Sequence, residues 1–224
     1  MLKRVSARIC AACARASRDP ATVKLVAVTK GHDVAEIKRE ILANGHTVLG
    51  ENRVQEWRGK HAILSKEALT VEWHMLGNLQ RNKVKYCLPF SLIHSLNSAK
   101  LADELERVGQ KKGHTFRTLV EVNVAGEASK RGAGLDEAER LVDYARTLNN
   151  VQVEGLMAMA PYNDDPEASR PIFVKLHTLR DRLMLRELSM GMSGDFEVAV
   201  EEGATIIRVG SAIFSSPSEE MVRG

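Results

Sequence analysis

Cysteine is scarce in this chain, and the three it has, Cys10, Cys13 and Cys87, cannot all pair with one another. No second Cys or His pair stands at zinc spacing. A disulfide framework and a structural metal are therefore both unexpected, and a reducing cytoplasm is the expected compartment. Cys10 and Cys13 are three residues apart on a helical stripe that precedes any strand, which favours core packing over a redox pair. Long apolar runs are lacking too: none approaches the roughly 18 residues of a spanning helix, and the N-terminus has no apolar signal core with a small-residue cleavage site. No membrane partner is expected. Charge of one sign is also missing, since 32 Lys and Arg face 29 Asp and Glu for a net of +3. That excess is too small to argue for nucleic acid, and the clusters Arg81, Lys83, Lys85 and Lys111, Lys112 read as solvated helix faces. Finally, the first strand runs into Thr29-Lys30-Gly31-His32, with neither a G-x-G-x-x-G turn nor a Walker-type lysine loop, which argues against an open dinucleotide-binding sheet.

What the chain does have is rhythm. Its 224 residues are 44% hydrophobic and 27% charged, ordinary for a globular protein. Leu2, Val5, Ile9 and Cys13 recur at helical spacing and predict a leading helix, which Asp19-Pro20 stops. Short β-rich runs then alternate with amphipathic stretches. Strands are expected at 24–29, 47–50, 72–76, 91–95, 118–124, 153–159, 188–192 and 205–210, and helices at 34–43, 98–112, 135–148, 166–186 and 196–202. Runs such as Leu25-Val-Ala-Val28 are nearly all apolar, as parallel strands covered on both faces require. Eight such strands predict an α/β protein with a single (β/α)8 TIM barrel over 24–214, preceded by an extra N-terminal helix at 1–18. The whole chain, 1–224, is expected to be one domain, compact beside the usual 250 or so residues.

In such a barrel the chemistry gathers at the carboxyl ends of the strands. Lys30 closes the first strand, where partial burial would supply a neutral amine for attack on an aldehyde, although a lysine in a βα loop can equally be a plain surface residue. The segment 188–195 leads through Ser193-Gly194-Asp195 into a helix, and Arg208-Val209-Gly210-Ser211 ends the last strand in the same manner. Turns of this kind after strands seven and eight suit a phosphate, while Ser193 and Asp195 are also ordinary helix caps.

Taken in order, Val26-Ala-Val-Thr-Lys30, Gly50-Glu-Asn-Arg-Val-Gln-Glu56, Trp73-His-Met-Leu-Gly77, Leu79-Gln-Arg-Asn-Lys83, Val122-Asn-Val124, Gly155-Leu-Met-Ala-Met-Ala-Pro161, 188–195 and 208–214 resemble the YggS/PROSC family of pyridoxal phosphate homeostasis proteins. The barrel of that family is similar to the N-terminal barrel of alanine racemase. The resemblance implies pyridoxal 5'-phosphate (PLP) bound covalently to Lys30 as a Schiff base. It implies a phosphate cradle of Ser193, Gly194, Gly210 and Ser211, and Arg208 beside the pyridine nitrogen. Asn52, His74, Asn123 and Met157 would line the pocket, although His74 reads as well as a satisfied core histidine and Met157 as barrel packing. The implied role is vitamin B6 homeostasis without catalysis: PLP and other B6 vitamers are the small-molecule partners, PLP-dependent apoenzymes the recipients, and a monomer is expected. The alternative is a PLP-dependent amino-acid racemase with His74 or Tyr162 as the acid opposite Lys30. A cofactor-free Schiff-base aldolase is disfavoured, because the strand ends offer amides, hydroxyls and an arginine in place of carboxylates. Ser215-Ser216 departs from the family's final turn, and Arg53 from its frequent tyrosine.

Overall fold

A computed structural model describes residues 1–126 and 132–214; the Ser215-Ser216 departure lies outside them. The leading helix α1 (Leu2–Arg15) forms where expected, burying Leu2, Val5, Ile9, Ala12 and Cys13 on one face. Cys13 packs in the core, but Cys10 is exposed. Three residues turn a helix by about 300°, which is enough to carry Cys10 off a narrow apolar stripe.

Eight strands follow: β1 (Lys24–Val28), β2 (Val48–Glu51), β3 (Glu72–Met75), β4 (Phe90–Leu96), β5 (Phe116–Glu121), β6 (Val151–Met157), β7 (Glu187–Ser189) and β8 (Ile206–Val209). They close into a barrel in sequence order, and β1 completes it through parallel pairing of Lys24, Leu25, Val26 and Ala27 with Ile206, Ile207, Arg208 and Val209. Alternate residues point inward, so Val26, Leu92, Leu119, Met157 and Ile206 form a small core inside the barrel. The outward-facing residues meet the helices in a much larger core. Burial on both faces explains the continuous apolar strands.

The connections are α2 (Val34–Glu40), α3 (Val54–Lys66), α4 (Ala99–Lys112), α5 (Leu135–Arg146), α6 (Arg170–Arg182), α7 (Phe196–Glu201) and a last turn α8 (Ser211–Phe214). The sequence reading did not identify α3. Its buried residues Val54, Trp57, Lys60 and Leu64 include a lysine, and Gly59 weakens helix propensity, so the apolar period is broken. The expected helix at 166–186 is divided, because a 3-10 turn at Pro166–Ser169 precedes α6. After β3 the crossover is a 3-10 segment, Arg81–Tyr86, in place of an α-helix. No helix among the described residues is long and apolar enough to cross a membrane.

Candidate cofactor site at the barrel mouth

Lys30 stands two residues beyond β1, on a backbone held from several sides. Thr29 N–H donates to Gly50 O at 3.0 Å, and its hydroxyl donates to Glu51 Oε1 at 2.5 Å. Lys60 of α3 reaches under the same strand end, donating to Thr29 O at 2.7 Å and to Glu51 Oε1 at 2.5 Å. Thr29, Glu51 and Lys60 are all buried. Gly31, with φ at +81°, turns the chain away immediately afterwards, a conformation that favours glycine. The Lys30 side chain is exposed at the mouth, so the partial burial expected from its strand-end position is not found. The reason is geometric: Lys30 lies in the turn above the sheet, and the cavity beside it is wide.

Across the mouth, β7 ends in a turn that Asp195 closes. Its carboxylate accepts from Met192 N–H at 2.7 Å and from the buried Ser169 hydroxyl at 3.0 Å. Ser193 Oγ accepts from Gly210 N–H at 3.3 Å and Ala212 N–H at 3.4 Å, stitching this turn to the one after β8. Ser193, Gly194, Gly210 and Ser211 thus come together. Gly194 has no left-handed φ, and apart from its chain neighbours no protein atom lies within 4 Å of where a Cβ would stand, so the cavity is open against this turn.

Arg208, on β8, is 6% exposed. Nη1 donates to Ser189 Oγ at 2.6 Å and Nη2 to Ala158 O at 3.0 Å. Among the described residues no carboxylate forms an ion pair with it. Burial pushes the guanidinium down to about 10, against the opposing pull of Asp195 and Glu121; it remains a cation at neutral pH. Lys30, Arg208 and the two turns border one cavity of about 910 Å³, which Asn52, Asn123 and Met157 also line. That is at the upper end of small-molecule sites.

Asn52 owes its position to Gly77, where a Cβ would lie 2.2 Å from Asn52 O. Met157 is 1% exposed and belongs to the core inside the barrel as well as to the cavity floor. His74 is the residue placed otherwise than expected. It does not line the cavity; it is 1% exposed inside the barrel, with Nδ1 2.8 Å from His94 Nε2 and Nε2 2.9 Å from Glu72 Oε1. Inward alternation along β3 puts its ring below the mouth. Tyr162 does reach the rim, 91% exposed, with its hydroxyl donating to Asp164 at 2.9 Å. Sequence reading missed the Glu51–Lys60 clamp, His94, Ser189 and His32, whose ring stacks on Phe214 at 3.7 Å on the lip. Period-two reading of β4 from Leu92 would have turned His94 inward.

The sequence model of the alanine racemase N-terminal domain matches residues 2–217. A pyridoxal phosphate homeostasis protein of Aquifex aeolicus is 46% identical over 220 residues, covering 95% of both chains. The chain belongs to the pyridoxal phosphate homeostasis protein family. PipY of Synechococcus elongatus PCC7942, solved with PLP bound, is 35% identical to this chain, with the match covering 94% of this chain and 100% of PipY at a TM-score of 0.82. An alanine racemase of Clostridium difficile 630, at 13% identity and a TM-score of 0.68, shares the barrel fold, and the match spans 54% of that enzyme.

Proposed function

We propose that this protein holds PLP at the barrel mouth, linked to Lys30, and serves PLP homeostasis as a reversible carrier. The observation that carries the reading is the composition of one cavity: an exposed lysine on a clamped backbone and a buried arginine with no carboxylate partner among the described residues, together with two hydroxyl- and glycine-bearing turns. These groups fit PLP. Lys30 would hold PLP through its amine, in a linkage to the aldehyde that would form with loss of water and be reversed by water. Ser193, Gly194, Gly210 and Ser211 would take the phosphate, with the Arg208 cation in the same cavity favouring the anion. Asn52 and Asn123 supply amides around the ring, and Met157 an apolar floor.

PLP when bound supplies an electron sink, whose strength depends on protonation of the ring nitrogen. Arg208 can donate to that nitrogen but carries no proton it readily gives up, so it keeps the nitrogen unprotonated and the sink weak. That favours holding over reacting. With His74 below the mouth, one of the two candidates for the acid of the racemase reading lies outside the cavity. Delivery to apoenzymes, action as a monomer, binding of other B6 vitamers and a cytoplasmic location belong to the same proposal.

The test is optical and chemical. Purified protein given PLP should absorb in the near-visible, bleach with borohydride and yield a pyridoxyl group on the Lys30 peptide; Lys30→Ala should abolish the adduct. A label on another lysine would overturn the site.

A further inference from the structure

Behind Arg208 a file of polar side chains crosses the barrel interior to its far end. Arg208 Nη1 lies 2.6 Å from Ser189 Oγ, and Ser189 Oγ lies 2.9 Å from His94 Nδ1. His94 Nε2 is 2.8 Å from His74 Nδ1, and His74 Nε2 is 2.9 Å from Glu72 Oε1, which also accepts from Lys24 Nζ at 2.6 Å. Ser189, His94 and His74 are each at most 1% exposed, beside the small apolar core inside the barrel.

The direction of every bond follows from the two ends. A guanidinium only donates, so Ser189 Oγ accepts from Arg208, and its single hydrogen goes to His94 Nδ1. At the other end Glu72 is a carboxylate, held down to about 2 chiefly by its bond to His74, and it only accepts. His74 must therefore donate from Nε2. Burial lowers the basicity of both imidazoles, that of His94 well below its usual value; Lys24 and Arg117 act the same way at His74, where Glu72 opposes them, and the His74 ring, Arg208 and Lys24 act the same way at His94. With both rings neutral, His74 Nδ1 accepts from His94 Nε2–H, and His94 Nδ1 accepts from Ser189. The assignments made from each end agree. The file runs one way, Arg208 to Ser189 to His94 to His74 to Glu72, with no donor facing a donor.

We propose that Ser189, His94 and His74 are positioning residues for the cofactor's ring-nitrogen partner. They fix the Arg208 guanidinium at the mouth and bring the negative charge of Glu72 to its rear as an oriented chain of dipoles, in place of a direct carboxylate partner. This rests on the PLP reading above. A carboxylate against Arg208 would neutralise the cation, whereas a neutral hydroxyl bond holds it in place and leaves its charge directed at the ring.

Two measurements test the proposal. In the protein without PLP, ¹⁵N NMR of labelled histidines at neutral pH should show both rings with a protonated Nε2 and a bare Nδ1; a protonated Nδ1 on His94 would overturn it. In the PLP-loaded protein, Ser189→Ala and His94→Leu should each weaken PLP binding about tenfold, since a buried donor loses its partner, and should move the visible absorption maximum. Glu72→Gln, at the opposite end of the barrel, should move that maximum in the same direction. His94→Gln, able to accept and donate, should recover most of the affinity lost in His94→Leu. If His94→Leu fails to fold, Ser189→Ala and Glu72→Gln decide. Folded variants with unchanged affinity and spectrum would overturn the file's role while PLP binding by the wild-type protein stood. A wild-type protein that took up no PLP would defeat the cofactor reading, and this role with it.

Discussion

From its place after an apolar strand alone Lys30 reads as well as a plain surface lysine as a reactive one, and the groups that hold its backbone are not legible in the sequence at all. Thr29 is clamped by Glu51 and Lys60, and Lys60 comes from a helix whose apolar period that same lysine interrupts. A charged residue on a helical stretch reads as solvent-facing, and only packing shows that its amine turns inward onto an acceptor. Removing one partner of a buried ion pair typically costs about 3–5 kcal/mol. Lys60→Met should therefore lower the melting temperature by about 10 °C, which a thermal scan of the PLP-free protein would check. It should also weaken the proposed linkage of PLP to Lys30, because the strand end is released. A melting temperature within a degree or two of wild type would show that Glu51 finds its compensation elsewhere.

Among the elements, the turns after β7 and β8 were legible because glycine, serine and a cap-type aspartate cluster there. The approach of β2 to β3 was not. Gly77 lets the chain after β3 press against Asn52, and an alanine Cβ would meet Asn52 O at 2.2 Å, a backbone atom that cannot swing aside. Gly77→Ala should destabilise the fold by about 1–3 kcal/mol and reduce PLP affinity by displacing Asn52; a chemical denaturation curve and a spectral titration measure the two effects. The leading helix α1 was predicted, and its partner emerges from the structure. Arg8 forms a two-pronged pair with Glu197 at 3.2 and 3.0 Å and lies over Phe196, so α1 braces α7 directly behind the Ser193 turn. Arg8 and Glu197 are partly exposed, and Arg8→Ala should cost no more than about 1 kcal/mol.

At the level of the whole molecule, the barrel encloses neutral histidines. His74 and His94 are both less basic in the folded state than the ordinary 6.5, chiefly through burial, and the partly buried His46 follows them. Below about pH 6.5 the unfolded chain binds protons that the folded barrel refuses, so these rings cost nothing above that pH and destabilise the fold progressively as pH falls. The slope is at most about 1.4 kcal/mol per pH unit for each ring. Glu72, shifted down to about 2, acts in the same direction at lower pH: its stabilising contribution is full above the ordinary carboxylate range and is lost as pH falls towards 2. The urea midpoint should be lower at pH 5.5 than at pH 7.5, and His94→Gln should flatten the difference. A midpoint that rises on acidification would contradict the neutral assignment.

By itself the sequence determined the βα rhythm, the barrel that eight covered strands imply, and the lysine, arginine and glycine-serine turns at the strand ends, because alternation and turn chemistry are local properties of the chain. Which inward side chains meet was decided by closure. The sequence leaves His74 open between pocket and core; in the structure it bonds His94, 20 residues away. His94 in turn bonds Ser189 across 95 residues, and Ser189 bonds Arg208 across 19. No local pattern couples positions so spaced. The inter-strand register of a closed barrel brings them to neighbouring heights around one axis, and burial makes their polar atoms take one another as partners.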